Sequence, residues 1–237
     1  MPKIYMATDK GNVRPVNEDS GGVFENFFAV ADGMGGHAAG ETASHMLIEA
    51  AERFAKDVNS AQSAEETTHL LKKTIVAANG EIFRRAADDE HLRGMGTTAV
   101  LCALRGNIAI FAHVGDSRLY VLRGDELKQL TTDHSYVQEL VARGEITPEE
   151  AKTHRRKNLL MRAVGVAENV KIDTGTYPLQ RNDIILLATD GLTNMLADEE
   201  IIDGLRRENP ADELIQAALM AGGRDNITAV AVKCDDV

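Results

Sequence analysis

The sequence predicts an α+β fold in which two packed, mainly antiparallel β-sheets are faced by helices. Three observations lead there. Short β-rich apolar runs are bounded by Gly and Asp, tight-turn signals join consecutive runs mid-chain, and two pairs of helix-like stretches interrupt the strands. With 237 residues and 43% apolar content the chain can bury a sizeable core, and it reads as one domain over 1–237 with a flap at about 135–165.

Strand-like segments occupy roughly Ile4 to Thr8 and Gly21 to Ala31. From about Ala38 to Lys56, Ala43, Leu47, Ala50 and Phe54 recur at helical spacing and give one apolar face. Ser63-Ala64-Glu65-Glu66 has the capping-box pattern that starts a second helix, with Leu71, Ile75, Ala78 and Ile82 on one side. Two amphipathic helices in succession suggest an antiparallel pair lying on a sheet. Strand signals return at Thr97 to Leu104, Ile108 to His113 and Leu119 to Arg123. Arg105-Gly106-Asn107 and Arg123-Gly124-Asp125 are read as hairpin turns, so this middle is antiparallel.

From about Ser135 to Leu160 the chain is charged and helix-prone with little apolar alternation, and ends in His154-Arg155-Arg156-Lys157, the signature of an exposed flap. Strands at Asp173 to Tyr177 and Ile184 to Thr189 follow. Helices at about Asp198 to Arg207 and Ala211 to Ala221 precede a closing strand at Ile227 to Lys233.

A net charge of -11 repels phosphate backbones, which excludes nucleic acid as a natural ligand. No apolar stretch approaches the ~20 residues of a membrane span, and Met1-Pro2-Lys3-Ile4-Tyr5 lacks signal-peptide design, so a cytoplasmic, monomeric protein is expected. Cys102 and Cys234 form no CxxC pair and read as inert. Cysteine-based phosphoryl chemistry fails on spacing, because Ile108 stands six positions after Cys102 where an arginine is needed.

The chemistry lies in four aspartates that each adjoin an apolar run and a glycine or turn residue. Phe27-Phe28-Ala29-Val30-Ala31 leads into Asp32-Gly33, and Ile108 to Val114 leads into Gly115-Asp116-Ser117. Ile184 to Thr189 precedes Asp190-Gly191, and Arg224-Asp225-Asn226 opens onto Ile227 to Val232. A strand end holds its side chain more rigidly than a loop, so carboxylates on several ends can converge on one cation, and an oxygen-only set favours Mg or Mn over Zn. Taken singly, an Asp-Gly pair is more often a hairpin turn than a ligand.

In order along the chain, Arg14-Pro15-Val16-Asn17-Glu18-Asp19, Val30-Ala31-Asp32-Gly33-Met34-Gly35-Gly36-His37, Gly94-Met95-Gly96-Thr97-Thr98, Val114-Gly115-Asp116-Ser117-Arg118, Asp133-His134-Ser135, Ala188-Thr189-Asp190-Gly191-Leu192 and Gly223-Arg224-Asp225-Asn226 resemble the metal-dependent protein phosphatases, the type 2C serine/threonine phosphatases, in their compact bacterial branch. The resemblance implies a four-layer α-β-β-α sandwich with two Mn or Mg ions. It implies that Asp32 bridges both ions, the Gly33 carbonyl ligates one, and Asp190 and Asp225 hold the other. Asp19, with Glu18, would position water on the ions, and Asp116 with Asp190 would form a third cation site.

Arg14 resembles the family's phosphate-binding arginine, with a surface salt bridge as its alternative reading. The implied reaction is in-line attack on phosphoserine or phosphothreonine by a water that two cations have acidified, without a covalent enzyme intermediate. Phosphorylated proteins are the implied partners, a cognate bacterial Ser/Thr kinase and its substrates among them. Met34 stands where eukaryotic members carry a histidine. The leaving group's proton then has two sources, His37 or water on a cation, and His37 can equally support the glycine-rich turn. His113 is expected to be a satisfied core residue, and His134 to steady the base of the flap. Met161 departs from a common threonine at the flap exit.

Overall fold

The structure is a computed structural model that describes residues 2–35 and 38–235. Alternation within single strands decides its layering. In β3 (Phe27–Met34), Phe27, Ala29 and Ala31 enter one apolar cluster while Phe28 and Val30 enter another. β5 (Ala99–Arg105) and β6 (Ile108–Val114) divide in the same way: Leu101 and Ile110 join the first cluster, Cys102 and Phe111 the second. β7 (Arg118–Arg123), β10 (Asp183–Ala188) and β11 (Ile227–Cys234) reach that second cluster through Val121, Ile185 and Val232, and send Leu122, Leu186 and Ala231 into a third. Strands apolar on both faces must be covered on both, so three clusters separated by two sheets make an α-β-β-α sandwich.

The remaining strands are β1 (Lys3–Asp9), β2 (Asp19–Phe24), β4 (Gly96–Thr97), β8 (Glu126–Gln129) and β9 (Asp173–Pro178). One sheet runs β1-β11-β10-β7-β8; the other runs β2-β3-β5-β6-β9, with β4 paired to β3. These pairings are antiparallel. The helices α1 (Ala38–Ser60) and α2 (Ala64–Asp88) bury Leu47, Leu71, Ile75 and Ile82 against the second sheet. A fork from Arg53 to both carboxylate oxygens of Glu81, 2.7 Å each, joins them. On the opposite side α6 (Asp198–Leu205) and α7 (Pro210–Met220) bury Leu205, Leu214 and Ile215.

Several boundaries differ from expectation. The segment Gly21 to Ala31 is a hairpin, β2 and β3, turned at Glu25, whose φ of 58° is reached without a glycine. Ser63 does cap α2, its Oγ accepting from the Glu66 amide at 3.1 Å. The box is left open, because Glu66 Oε2 takes the Gln62 amide (2.6 Å) rather than the cap residue's own. A four-residue helix, α5 (Asp190–Thr193), follows β10. The segment expected to form a flap holds α3 (Tyr136–Ala142) and α4 (Pro148–Thr153), and Ser135 and Leu160 meet in a bridge. Cys102 and Cys234 are buried free thiols. No helix among the described residues is long and apolar enough to cross a membrane.

Candidate metal and phosphate site

Strand register gathers the aspartates. Asp19 and Asp32 are direct partners across β2 and β3, so their side chains stand side by side on one face. β3 and β6 are both antiparallel to β5 and therefore parallel to each other, which brings Asp32 and Asp116 to the same end of the sheet. In the other sheet Ala188 pairs with Arg118 and with Ala229. Just past these strand ends, Asp190 begins α5, Asp116 precedes β7 and Asp225 precedes β11, and all three line one cleft. The strand ends of both sheets open into a cleft of about 380 Å³, lined by Arg14, Asp32, Gly33, Asp116, Asp190 and Asp225. Asp19 lies buried behind it.

Like charges this close raise one another's proton affinity. Burial and then Asp190 push Asp116 up to about 7; burial, with Asp190 and Asp225 adding, pushes Asp19 up to about 7 despite the bond from Thr189. Asp32 is raised well above the carboxylate range by burial and then by Asp19 and Asp190, and Asp190 is raised by burial and then by Asp225. Asp19 Oδ1 and Glu18 Oε1 are buried without a hydrogen-bond partner among the described residues. Crowded carboxylates with orphaned oxygens have a net demand for positive charge, and hard oxygen donors fit Mg²⁺ or Mn²⁺. The residues present therefore fit the expected cations.

Long-range hydrogen bonds hold the Asp19 carboxylate and the main chain at Asp32 and Glu18, and their donors and acceptors went unassigned in the sequence. Thr189 Oγ1 donates to Asp19 Oδ2 at 2.7 Å and accepts from the Thr228 amide at 2.9 Å. Thr98 Oγ1 accepts from the Asp32 amide at 2.9 Å and lies 2.7 Å from Ser117 Oγ, so one hydroxyl ties Asp32 to the Asp116 turn. Asn226 pins the loop after β1: its Oδ1 accepts from the Glu18 amide, and its Nδ2 donates to the carbonyls of Lys10 and Val16. Two glycines are required by space. A Cβ at Gly33 would stand 2.1 Å from the Gly40 carbonyl oxygen, and one at Gly191 would stand 1.9 Å from that of Asn226. The Thr-Asp-Gly and Asp-Asn pairs were visible as motif words, but their partners lie far along the chain.

Arg14 stands at the rim, where its Nη2 donates to Asp225 Oδ2 at 2.8 Å, the salt bridge of its alternative reading. His37 lies outside the described residues. His113 is buried in β6 but is not the satisfied core residue expected, since its Nδ1 has no hydrogen-bond partner among the described residues. Burial and then His134 push its pKa down to about 4. Asn158, Leu159 and Leu160 of the flap exit line the cleft, and the Met161 amide donates to the His134 carbonyl at 2.8 Å. His154 and Arg156 pack around the Tyr136 ring.

Residues 16–223 match the family model described as Protein phosphatase 2C. The chain belongs to the protein phosphatase 2C family. It is an enzyme of that family's serine/threonine phosphatase class. Among its relatives, the Serine/threonine phosphatase stp of Listeria innocua is 44% identical over 235 residues, 95% of this chain and 93% of that protein. The crystal structure of the Mycobacterium tuberculosis serine/threonine phosphatase PstP/Ppp superposes with a TM-score of 0.91 at 37% identity, covering 99% of both chains. The catalytic domain of PstP in complex with 2 manganese ions gives a TM-score of 0.88 at 37% identity over 98% of this phosphatase 2C chain and 97% of that one.

Proposed function

We propose that this phosphatase 2C hydrolyses phosphoserine and phosphothreonine in proteins, using Mn²⁺ or Mg²⁺ held at the end of the sandwich. The observation that carries the reading is Asp32, held in register beside buried Asp19, lining one cleft with Asp116, Asp190 and Asp225 and with Arg14 at its rim. Asp32 and the Gly33 carbonyl would hold the cations together with Asp190 and Asp225; Asp19 would orient water from behind, and Asp116 with Asp190 would take a third cation. Bound divalent cations supply an acidified water as nucleophile and offset charge on the phosphoryl oxygens.

The chain's own groups do the rest. The Arg14 guanidinium, planar and always charged, captures phosphoryl oxygens at the rim. Buried Thr189 keeps the Asp19 carboxylate from turning away as charge shifts, and Thr98 fixes the Asp32 main chain. His37 is assigned the proton delivered to the leaving alkoxide. The flap exit at Asn158 to Leu160 forms the wall against which the phosphorylated segment lies.

The whole chain acts as one catalytic domain, with residues at about 135–165 as a flap. It works as a cytoplasmic monomer, opposing a bacterial Ser/Thr kinase and acting on that kinase's substrates. The names of the relatives support the serine/threonine assignment, and the two manganese ions of the PstP complex support the cofactor. The test is phosphate release from a phosphothreonine peptide after chelation and after Mn²⁺ or Mg²⁺ is restored, with Asp32→Ala beside the wild type. The expected result is turnover that metal restores to the wild type but not to Asp32→Ala, which also loses Mn²⁺ affinity by calorimetry. Normal turnover by Asp32→Ala removes the site. A preference for an aryl phosphate over the peptide would replace the protein substrate with a small ester.

A further inference from the structure

Away from the cleft floor, His113, His134 and Asp173 bring ligand-type atoms within 4.8 Å of one another. That spacing invites a cation, but the backbone argues otherwise. The Gly115 amide donates to His134 Nδ1 at 3.1 Å. A neutral imidazole whose Nδ1 accepts must carry its hydrogen on Nε2. Nε2 is then a donor with no lone pair to offer a metal, and it donates to Asp173 Oδ2 at 3.1 Å. Arg162 Nη1 lies 3.0 Å from the same Nε2, but both carry hydrogens; it donates instead to Asp173 Oδ1 at 3.0 Å. Asp173 thus accepts from both, and although burial works upward, these two partners hold its carboxyl below the ordinary range.

The other half of the contact is more informative. The His134 backbone amide donates to the Gly115 carbonyl at 2.9 Å. One residue therefore grips Gly115 on both sides, its N–H through the ring and its C=O through the main chain. Gly115 has a φ of 105°, a conformation open to glycine, and a Cβ there would stand 2.6 Å from Thr98 Cγ2. A glycine so free in the unfolded chain needs outside contacts to hold one conformation. The next residue is Asp116, whose carboxylate faces the cleft. The His113 ring stacks on His134 at 4.5 Å, keeping water away from the clamp.

We propose that His134 is a positioning residue which, locked as the Nε2–H tautomer, clamps the Gly115 backbone and so aims the Asp116 carboxylate into the cleft. This rests on reading Asp116 as a cation ligand, and goes beyond an expectation that His134 merely steadies the flap. Outer partners that orient metal ligands are worth about 10- to 100-fold in metal affinity.

Two near-isosteric variants separate the arms of the ring. His134→Asn keeps an acceptor where Nδ1 stood and loses the donor to Asp173; His134→Gln keeps that donor and loses the acceptor. The expected result is that the Gly115 amide stays protected from hydrogen exchange in the wild type and in His134→Asn, but exchanges freely in His134→Gln. The Mn²⁺ concentration for half-maximal turnover, and the Mn²⁺ affinity by calorimetry, should weaken about 10-fold or more in His134→Gln alone. Identical behaviour of the two variants, or wild-type exchange and Mn²⁺ demand in His134→Gln, would overturn the clamp. Nitrogen NMR of the wild-type protein provides a test independent of variant folding: a bare Nδ1 and protonated Nε2 are required, and a hydrogen on Nδ1 refutes the clamp. If the wild type released no phosphate at any Mn²⁺ concentration, the phosphatase reading would fail, while the exchange and NMR results would still decide the clamp.

Discussion

Replacing Gly191 by alanine adds one methyl group where the start of α5 packs on the Asp225–Asn226 turn beside the site. The new Cβ would lie 1.9 Å from the backbone oxygen of Asn226, against the 3.4 Å where ordinary contact begins. The start of α5 and the Asp225–Asn226 turn must therefore separate by about 1.5 Å, and Asp190 and Asp225 sit on those two segments. Misplacement by about 1 Å costs on the order of 100-fold in rate, and forcing a methyl into packed backbone costs about 1–3 kcal/mol. Gly191→Ala should lose roughly 100-fold in turnover of a phosphothreonine peptide at saturating Mn²⁺, and melt several degrees lower at about 2–4 °C per kcal/mol.

The same change at Gly80, inside α2 with nothing within 4 Å of its added Cβ, is the internal control. There alanine should stabilise by about 0.5–1 kcal/mol and leave turnover unchanged. The assays are initial-rate phosphate release and thermal melting on the three proteins. Wild-type turnover and stability in Gly191→Ala would refute the spatial argument outright.

Arg14→Ala should bind Mn²⁺ undiminished, because its loss frees Asp225 from an ion pair, while KM for the phosphopeptide rises about 10-fold with the lost charged hydrogen bonds. Calorimetric loss of Mn²⁺ affinity equal to the kinetic loss would place Arg14 in the metal site instead. His113 has a folded pKa of about 4, below the ~6.5 of an unfolded histidine. The unfolded chain binds that proton first, so this residue makes stability fall as pH drops from about 6.5 to about 4, by up to about 3 kcal/mol. His113→Leu should remove that dependence, read as a denaturant midpoint that falls less than the wild type's across this window; parallel curves would show that His113 does not titrate there.

Much of the fold was legible because it depends on short-range periodicity. Leu47 with Ala43 and Ala50, or Leu71 with Ile75 and Ile82, expose helical spacing to any reader, and these faces are buried as expected. The break between β2 and β3 was not legible, since Glu25 takes its positive φ without the glycine that normally marks such a turn. The open capping box at Ser63 shows the same limit, where Glu66 chose a neighbouring amide that no residue pattern distinguishes. α5 escaped notice because four residues are too few to display a period.

Residue types and their order determined most of the strands, both helix pairs, and which carboxylates sit beside glycines at strand ends, because those features depend on neighbours a few positions apart. Convergence was decided only in three dimensions. Asp19 faces Asp32 through hairpin register; Thr189 reaches Asp19 from 170 residues away, and Asn226 holds Glu18 from 208 away. The clamp of His134 on Gly115 likewise needs a loop and a strand end to meet. Hydrogen bonds between distant segments leave no periodic trace in a sequence, so tertiary structure alone could decide what holds each aspartate in place.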